Sequence, residues 1–378
     1  MKLETYLFFD GSWNQEPKAG LDGPHTLVIV FATSNVDAIA SPLNDLLSIY
    51  KNSTLVGAST SGEIFGDEVY DDSLVVSVIS FEHSRFRAIS KPLHSTQNSY
   101  SDGLALAEEL LEDDLQGIFV LSDGLHVNGS KLTDGIASVI PSNIPVTGGL
   151  AGDGDRFEKT WVIVDEKPQS AYISAVGVYG KAINIMHASK GGWDRLGLER
   201  VVTKSRDNIL YELDNRPALD IYKRYLGDKA SELPASGLLF PLELKTDIDS
   251  TESKVRTILA VNEEDKSITF AGDLPEGSHV TLMKANYNRL IDGAYKAAES
   301  LDFSSYNGED ILCIAISCVG RKLVLKSRVE EELEAILEVL PPKTKQIGFY
   351  SYGEISPLES GRCDLHNQTM TLTVMWES

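Results

Sequence analysis

The chain has 378 residues, 42% apolar and 24% charged, the balance of an ordinary folded protein, and its length exceeds what one hydrophobic core usually organises, so two domains are expected. Thirty-four Lys and Arg stand against 56 Asp and Glu, a formal net charge of −22. A field of that sign repels phosphate backbones and no local basic cluster offsets it, which excludes nucleic acid as the main partner. No window approaches the ~18 consecutive apolar residues that cross a bilayer, and Met1-Lys2-Leu3-Glu4-Thr5-Tyr6 lacks the basic and apolar regions of a secretory leader. A cytoplasmic protein with no membrane partner is the expectation.

Residues 1–24 are set apart as an N-terminal extension. Residues 25–32 (HTLVIVFA) then read as a buried strand, followed by Ile39, Leu43, Leu46, Leu47 and Tyr50, a spacing that puts five apolar side chains on one helix face. A second strand at 54–57 ends in Ser59-Thr60-Ser61-Gly62-Glu63-Ile64, and a third follows at 73–79. The order recurs at the C-terminus: a strand at 310–316, a helix face made by Val329, Leu333, Ile336, Leu337 and Leu340, a strand at 346–349 running into Tyr350-Ser351-Tyr352-Gly353-Glu354-Ile355, and a strand at 369–375. A weaker copy lies between them, with strand 117–121, helix positions Leu132, Ile136, Val139 and Ile140, strand 144–147, the turn Gly149-Leu150-Ala151-Gly152-Asp153, and strands at 160–164 and 174–178. A repeat of this kind points to one supersecondary unit used three times. A strand-helix-strand step makes a parallel pair, and the third strand can return antiparallel. The fold class is therefore α/β, mixed α+β, with repeated β-α-β-β units forming mixed sheets covered by helices.

The middle is less regular. Gly191-Gly192-Trp193 and Leu196-Gly197 mark a loop, Arg216-Pro217-Ala218 opens a helix with proline early in it, residues 246–254 read as an exposed linker or hairpin tip, and 286–301 as another helix. The division into domains falls near residue 215, giving 25–215 and 216–378.

Several of these segments resemble the FIST family. Thr60-Ser61-Gly62-Glu63-Ile64, Gly148-Gly149-x-Ala151-Gly152-Asp153, Gly192-Trp193 and Val202-Thr203-Lys204 resemble FIST N, and Pro217-Ala218-Leu219-Asp220-x-Tyr222 sits where the two parts meet. Cys318-Val319-Gly320-Arg321, Gly348-Phe349-Tyr350-Ser351-Tyr352-Gly353-Glu354-Ile355 and Leu365-His366-Asn367-Gln368-Thr369 resemble FIST C. The resemblance implies a sensory module for signal transduction that binds a small ligand such as an amino acid. Its implied partner is a separate histidine kinase or cyclic-di-nucleotide enzyme. It also implies haem as an alternative, since a subset of the family resembles nitric-oxide-sensing proteins; a ligand-free adaptor is a third reading.

In open sheets, ligands bind beyond the carboxyl ends of parallel strands. Ser317-Cys318-Val319-Gly320-Arg321 follows such a strand, so Arg321 is placed in the crevice, where a guanidinium suits a carboxylate, with Cys318 beside it. Tyr350, Tyr352 and Glu354 follow the neighbouring strand. Arg321 for a carboxylate and Glu354 for an amine would together read an amino acid; alternatively Arg321 and Glu354 pair with each other or with loop carbonyls. Glu63 and Asp153 occupy what read as equivalent turns, and their recurrence favours a structural role, holding backbone N–H groups. Thr60 and Ser61 are placed at the pocket wall by their hydroxyls. Trp193 either stacks on a ligand or plugs its loop onto the core.

The glycine-rich stretch 148–154 runs toward a strand and not a helix, so it is no dinucleotide loop. None of the seven histidines forms a short metal-binding pair, and no metal site is expected. Haem needs only one axial nitrogen and an apolar pocket; His187 and His366 are the conceivable ligands, with structural histidines the competing reading. Asn367 and Gln368 look suited to pinning a loop. The three cysteines, Cys313, Cys318 and Cys363, fit reduced buried thiols. Ser122 and Cys318 are nucleophile types without a G-x-S-x-G elbow or a histidine at a telling spacing, so no enzyme activity is expected.

Overall fold

The computed structural model describes residues 1–246 and 252–378. Its mixed α+β architecture is built from the three sequence copies. In each, the second strand lies parallel beside the first and the third lies antiparallel on the first strand's other side. The strands are Thr26–Thr33, Thr54–Thr60 and Leu74–Ser80 in the first copy, Leu115–Ser122, Val146–Leu150 and Tyr172–Tyr179 in the second, and Ile311–Cys318, Thr344–Ser351 and Met370–Glu377 in the third. The helices Val36–Ile49, Gly129–Ala137 and Glu331–Leu337 join first strands to second ones. The last is shorter than its apolar spacing suggests, because Lys326–Arg328 forms a 3-10 turn ahead of it, yet Leu333, Ile336 and Leu340 are all buried as the spacing requires.

Two backbone features recur with the units. A glycine on each second strand faces the first strand: Gly57 opposite Val30, Gly148 opposite Val120 and Gly348 opposite Ala315. A Cβ there would lie 2.4, 1.9 and 1.7 Å from the carbonyl oxygens of those partners, so the strands close only around glycine. The turn into each third strand carries a left-handed residue, Asp72 (φ +56°), Ala171 (φ +58°) and Gln368 (φ +60°).

The copies are not separate bodies. Past its second strand, each chain segment crosses to a neighbour's sheet. Glu63–Phe65 of the first copy pairs with Thr344–Ser351 of the third, Gly353–Pro357 of the third pairs with Val146–Leu150 of the second, and Val162–Val164 of the second pairs with Thr54–Thr60 of the first. Three backbone hydrogen bonds close the same ring: Ser61 N–H to Tyr350 O (2.8 Å), Tyr352 N–H to Leu150 O (3.2 Å) and Gly152 N–H to Ser59 O (3.0 Å). Apolar faces of the three sheets meet in one core, where Phe31, Phe119, Val176, Ile314 and Phe349 are buried together. Helices cover the outer faces.

Residues 1–24, set apart as an extension, supply the strand Lys2–Phe9, which pairs with Leu74–Ser80 inside the first sheet. The Met1 ammonium meets Glu377 at 2.9 Å, so the first and last strands are tied to each other. Between the second and third copies, residues 194–284 form a nine-stranded, largely antiparallel sheet with the helix Ala218–Leu226 and a core of its own around Leu210, Leu219, Phe270 and Leu282. Residue 215 lies within this inserted body, in the turn between Ile209–Leu213 and Arg216–Pro217. The expected tip at 246–254 falls between the paired strands Leu242–Lys245 and Lys254–Arg256; its residues 247–251 lie outside the described residues. The expected helix at 286–301 is Tyr287–Glu299, with the Asn286 side chain accepting the Arg289 N–H at its start.

Candidate functional site

The acidic turns at the strand ends are sealed. Glu63 accepts the Thr60 hydroxyl, the Ser73 N–H (3.0 Å) and the Ser73 hydroxyl (2.7 Å). Glu354 makes the equivalent set with Ser351 (2.8 Å), the Thr369 N–H (3.1 Å) and the Thr369 hydroxyl (2.8 Å). Each carboxylate thus fastens the start of the third strand. Burial lifts both acids to about 7 against the opposing pull of these donors. Glu354 therefore presents no free oxygen to an incoming amine.

Asp153 is not the third member of this set. The ring of backbone bonds makes Ser61, Gly152 and Tyr352 equivalent, so Asp153 falls in register with Gly62 and Gly353. In the second copy the fastening carboxylate is Asp123, which accepts the N–H groups of Leu125 (2.8 Å), His126 (2.9 Å) and Ala171 (2.8 Å). Asp153 instead holds the backbone of Phe157, Glu158 and Lys159.

Arg321 is fully buried. Its Nη2 and Nε lie 2.7 and 3.1 Å from Glu332, and its remaining bonds go to the carbonyls of Leu290 (2.9 Å) and Gly191. The expectation that it meets a ligand carboxylate is thereby corrected: Glu332 is that carboxylate, and the partner is not Glu354. Tyr350 belongs to the same buried network, donating to Glu332 at 2.8 Å beside Ser317 at 3.0 Å, and burial raises its phenol well above the ordinary value. Cys318 is buried, its thiol raised by desolvation. These residues tie the third copy to the 191 loop and to the helix Tyr287–Glu299, and none of them lines the hollow or the clefts described below. Tyr352 donates to Asp153 and to Gly154 O (3.0 Å) and stacks on Phe157.

Thr60 and Ser61 do line a hollow, of about 310 Å³, with Asp71, Arg156 and Lys322. Their own hydroxyls are already engaged, Thr60 with Glu63 and Ser61 with the Gly154 N–H at 3.0 Å.

The larger candidate is a cleft of about 400 Å³ between the three-sheet body and the inserted sheet. Here the fold gathers three residues that the sequence singled out separately. His187 comes from the edge strand Ile183–Lys190, which pairs with Met370–Glu377. Trp193 follows two glycines, the second at φ +91° with its Cβ position 2.1 Å from Arg289 O. His366 ends the strand Cys363–His366. Trp193 is 7% exposed and donates Nε1–H to Gln368 O at 2.8 Å, so it fastens its loop while presenting an edge to the cleft. Desolvation lowers both histidines, His366 to about 4. The amides of Asn367 and Gln368, expected to pin the neighbouring loop, find no hydrogen-bond partner there; Glu354 holds it instead. Sequence reasoning missed Lys190 and Glu359, both exposed in the cleft and without an ion pair among the described residues, and the inserted sheet's Lys254, Val255 and Met283. No local signal marks them, because only tertiary packing brings these segments together.

A porphyrin does not fit this cleft well. His366 Nε2 is 3.0 Å from Ser356 O, and Lys190, Glu243, Glu252, Lys254 and Glu359 line the walls where haem needs broad apolar faces. Among the described residues no cluster of His, Cys, Asp and Glu is arranged to hold a metal ion.

An exchange-closed body of three α/β copies, carrying an inserted sheet that shares a polar cleft with it, is the class of protein these observations define. The FIST N domain model matches residues 26–216 and the FIST C domain model residues 218–357; the chain belongs to the FIST family, whose domains are sensor modules of signal transduction. The uncharacterized protein MJ1623 of Methanocaldococcus jannaschii is 24% identical over 359 residues, covering 86% of this chain and 65% of that relative's length. A crystal structure of a cyanuric acid hydrolase from A. caulinodans is similar over 99% of this chain and 98% of its own, at 8% identity and a TM-score of 0.38, a likeness too distant to bear on activity. No helix among the described residues is long and apolar enough to cross a membrane.

Proposed function

We propose that this chain is a small-molecule sensor whose site is the cleft between the three-sheet body and the inserted sheet, and that its ligand is an amino acid or a related small carboxylate. The observation that supports this is the convergence of His187, Trp193, His366, Lys190 and Glu359, the last two without an ion pair among the described residues, on one cleft of about 400 Å³, a size suited to a small ligand. Lys190 offers a cation for a carboxylate and Glu359 an anion for an ammonium, the roles first assigned to Arg321 and Glu354, while the ring of Trp193 supplies apolar wall. The cleft is shared by two bodies, so a ligand that touches both favours one of their relative placements over others, which is all that a signal requires. The signal then passes in the cytoplasm to a separate partner such as a histidine kinase or a cyclic-di-nucleotide enzyme.

The proposal assigns the chain no catalytic step. Cys318 is buried with a raised thiol, and the Ser122 hydroxyl is buried and donates to Asp123 O at 3.0 Å.

Thermal-shift measurements with the twenty amino acids and simple carboxylates test the reading. A ligand at ~100 times its dissociation constant adds ~2.7 kcal/mol to stability, and Lys190→Ala should remove the shift for carboxylates. No shift with any of them sinks this ligand class. Haem titration separates the nitric-oxide-sensing alternative: a Soret band that responds to nitric oxide and disappears in His187→Ala would replace the amino-acid reading.

A further inference from the structure

The inserted sheet makes a second cleft with the body, also of about 400 Å³, whose walls come from the 124–129 loop, Phe157 and Tyr352 on one side and from the 207–208 turn and the 270–273 segment on the other. We propose that this second cleft binds a planar aromatic or heteroaromatic molecule that carries N–H donors on its edge.

The platform is built with care. Phe157 stacks on Tyr352 with ring centroids 4.5 Å apart and 15° between planes. Phe157 is 47% exposed and has φ +54°, so a bulky side chain is held half in water on a backbone conformation that disfavours it. One carboxylate enforces both rings. Asp153 accepts the N–H groups of Phe157 (2.9 Å), Glu158 (2.8 Å) and Lys159 (2.8 Å) and also the Tyr352 hydroxyl. Tyr352 is anchored in the core with Leu150 and Leu365, so the exposed member of the stack is Phe157 alone. Its open face is the natural seat for a third ring, since aromatic rings associate by offset stacking.

The edge of the cleft offers acceptors. Asp273 uses Oδ1 to accept from Asn128 at 3.0 Å and forms no ion pair among the described residues. Asp207 accepts from Lys131 through Oδ1 at 2.6 Å. Each carboxylate retains an oxygen for a ligand N–H, and charge-assisted hydrogen bonds of that kind are the stronger ones. Leu259 and Phe270 supply apolar wall around them. A ring bearing amidine or amino groups matches this combination, whereas a benzoate does not.

Three probes separate the terms, each followed on the full chain by ligand-observed saturation-transfer NMR. Benzamidine is planar with N–H donors, benzoate is planar without them, and cyclohexanecarboxamidine has the donors without the plane. Benzamidine should bind at least about tenfold more tightly than either of the others. Phe157→Ala should weaken it about tenfold, ~1.4 kcal/mol, while Phe157→Trp should retain it; the wild-type circular dichroism of both variants would show that the fold is intact. Lys190→Ala, in the other cleft, should leave benzamidine binding unchanged, so this proposal and the amino-acid reading fail separately. Equal binding by Phe157→Ala and wild type, equal binding of benzoate, or no saturation transfer to benzamidine at millimolar concentration would each overturn it.

Discussion

Glu63 and Glu354 each accept three hydrogen bonds, and yet burial raises both from the 4.5 of a free glutamate to about 7. The folded state therefore holds these protons more tightly than the unfolded chain between pH ~4.5 and about 7. Stability linked to the two groups is complete at the acid end of that window and declines as the pH rises through it. The lowered histidines His187 and His366 act with the opposite sign in the same window. The decline is therefore read as the difference in thermal melts between wild type and the double variant Glu63→Gln, Glu354→Gln from pH 4.5 to 7.5; a difference that does not change with pH would show that these two groups do not carry it. Arg321 teaches the complementary point. Three glutamates stand in a row at 330–332, and only Glu332 is fully buried against the guanidinium. Which of the three turns inward depends on where the helix begins, and the intervening 3-10 turn sets that start. The spacing of Arg321 from a strand end could not reveal it.

At the scale of the element, the repeat places two special backbone positions in every copy, and they respond to substitution with opposite sign. Gly348→Ala would put a Cβ 1.7 Å from the Ala315 carbonyl oxygen. Parallel strands would have to separate, so a loss of more than ~2 kcal/mol is expected, within the range for disrupted cores. Ala171 sits at φ +58°, where an L side chain is strained by ~1–2 kcal/mol and glycine is not. Ala171→Gly should therefore raise stability by ~0.5–1 kcal/mol once the extra freedom of glycine in the unfolded chain is deducted. Urea denaturation of the two variants checks both signs; a destabilised Ala171→Gly would mean that the methyl group's packing outweighs the strain. These positions were within reach of the sequence, since Gly57, Gly148 and Gly348 occupy the same place in each copy. The off-register Asp153 was not, because the chain after Gly152 leaves on an excursion through 153–160 before it rejoins a sheet.

At the scale of the whole molecule, the exchanged strands make the three sheets mutually dependent, while the inserted body attaches through an apolar seam of Leu238, Leu239, Val255 and Met283 against Leu290, Val324 and Leu325 and through several polar ties. Arg256 is the most buried of them. It is 1% exposed and donates to Leu365 O (3.0 Å) on the body and to Asp273 O (3.2 Å) within the insert, beside the ion pair of Lys254 with Asp364. It stands between the two clefts, since Lys254 and Val255 line one, and Gly272 and Asp273 line the other. Arg256→Met leaves buried carbonyls unpartnered, at a cost of ~1–3 kcal/mol. Hydrogen exchange should then quicken in Leu242–Lys245, Lys254–Arg256 and Cys363–His366, while Thr26–Thr33 and Ile311–Cys318 keep their protection. Exchange that rises equally in all of these would show that body and insert open as one unit.

The sequence alone determined the threefold unit, its parallel pairs, the helix faces and the family, because each is written in local periodicity or in short motifs where apolar spacing and glycine leave little choice. It also marked His187, Trp193 and His366, though as unrelated residues. Tertiary structure decided that their segments meet, that Lys190 and Glu359 join them, and that Arg321 and Glu354 are sealed within the body. Contacts such as Lys254 with Asp364 join residues more than a hundred positions apart. The side chains of segments brought together in this way carry no shared period, so their meeting is fixed only when the exchanged strands close the ring and the inserted sheet folds back upon it.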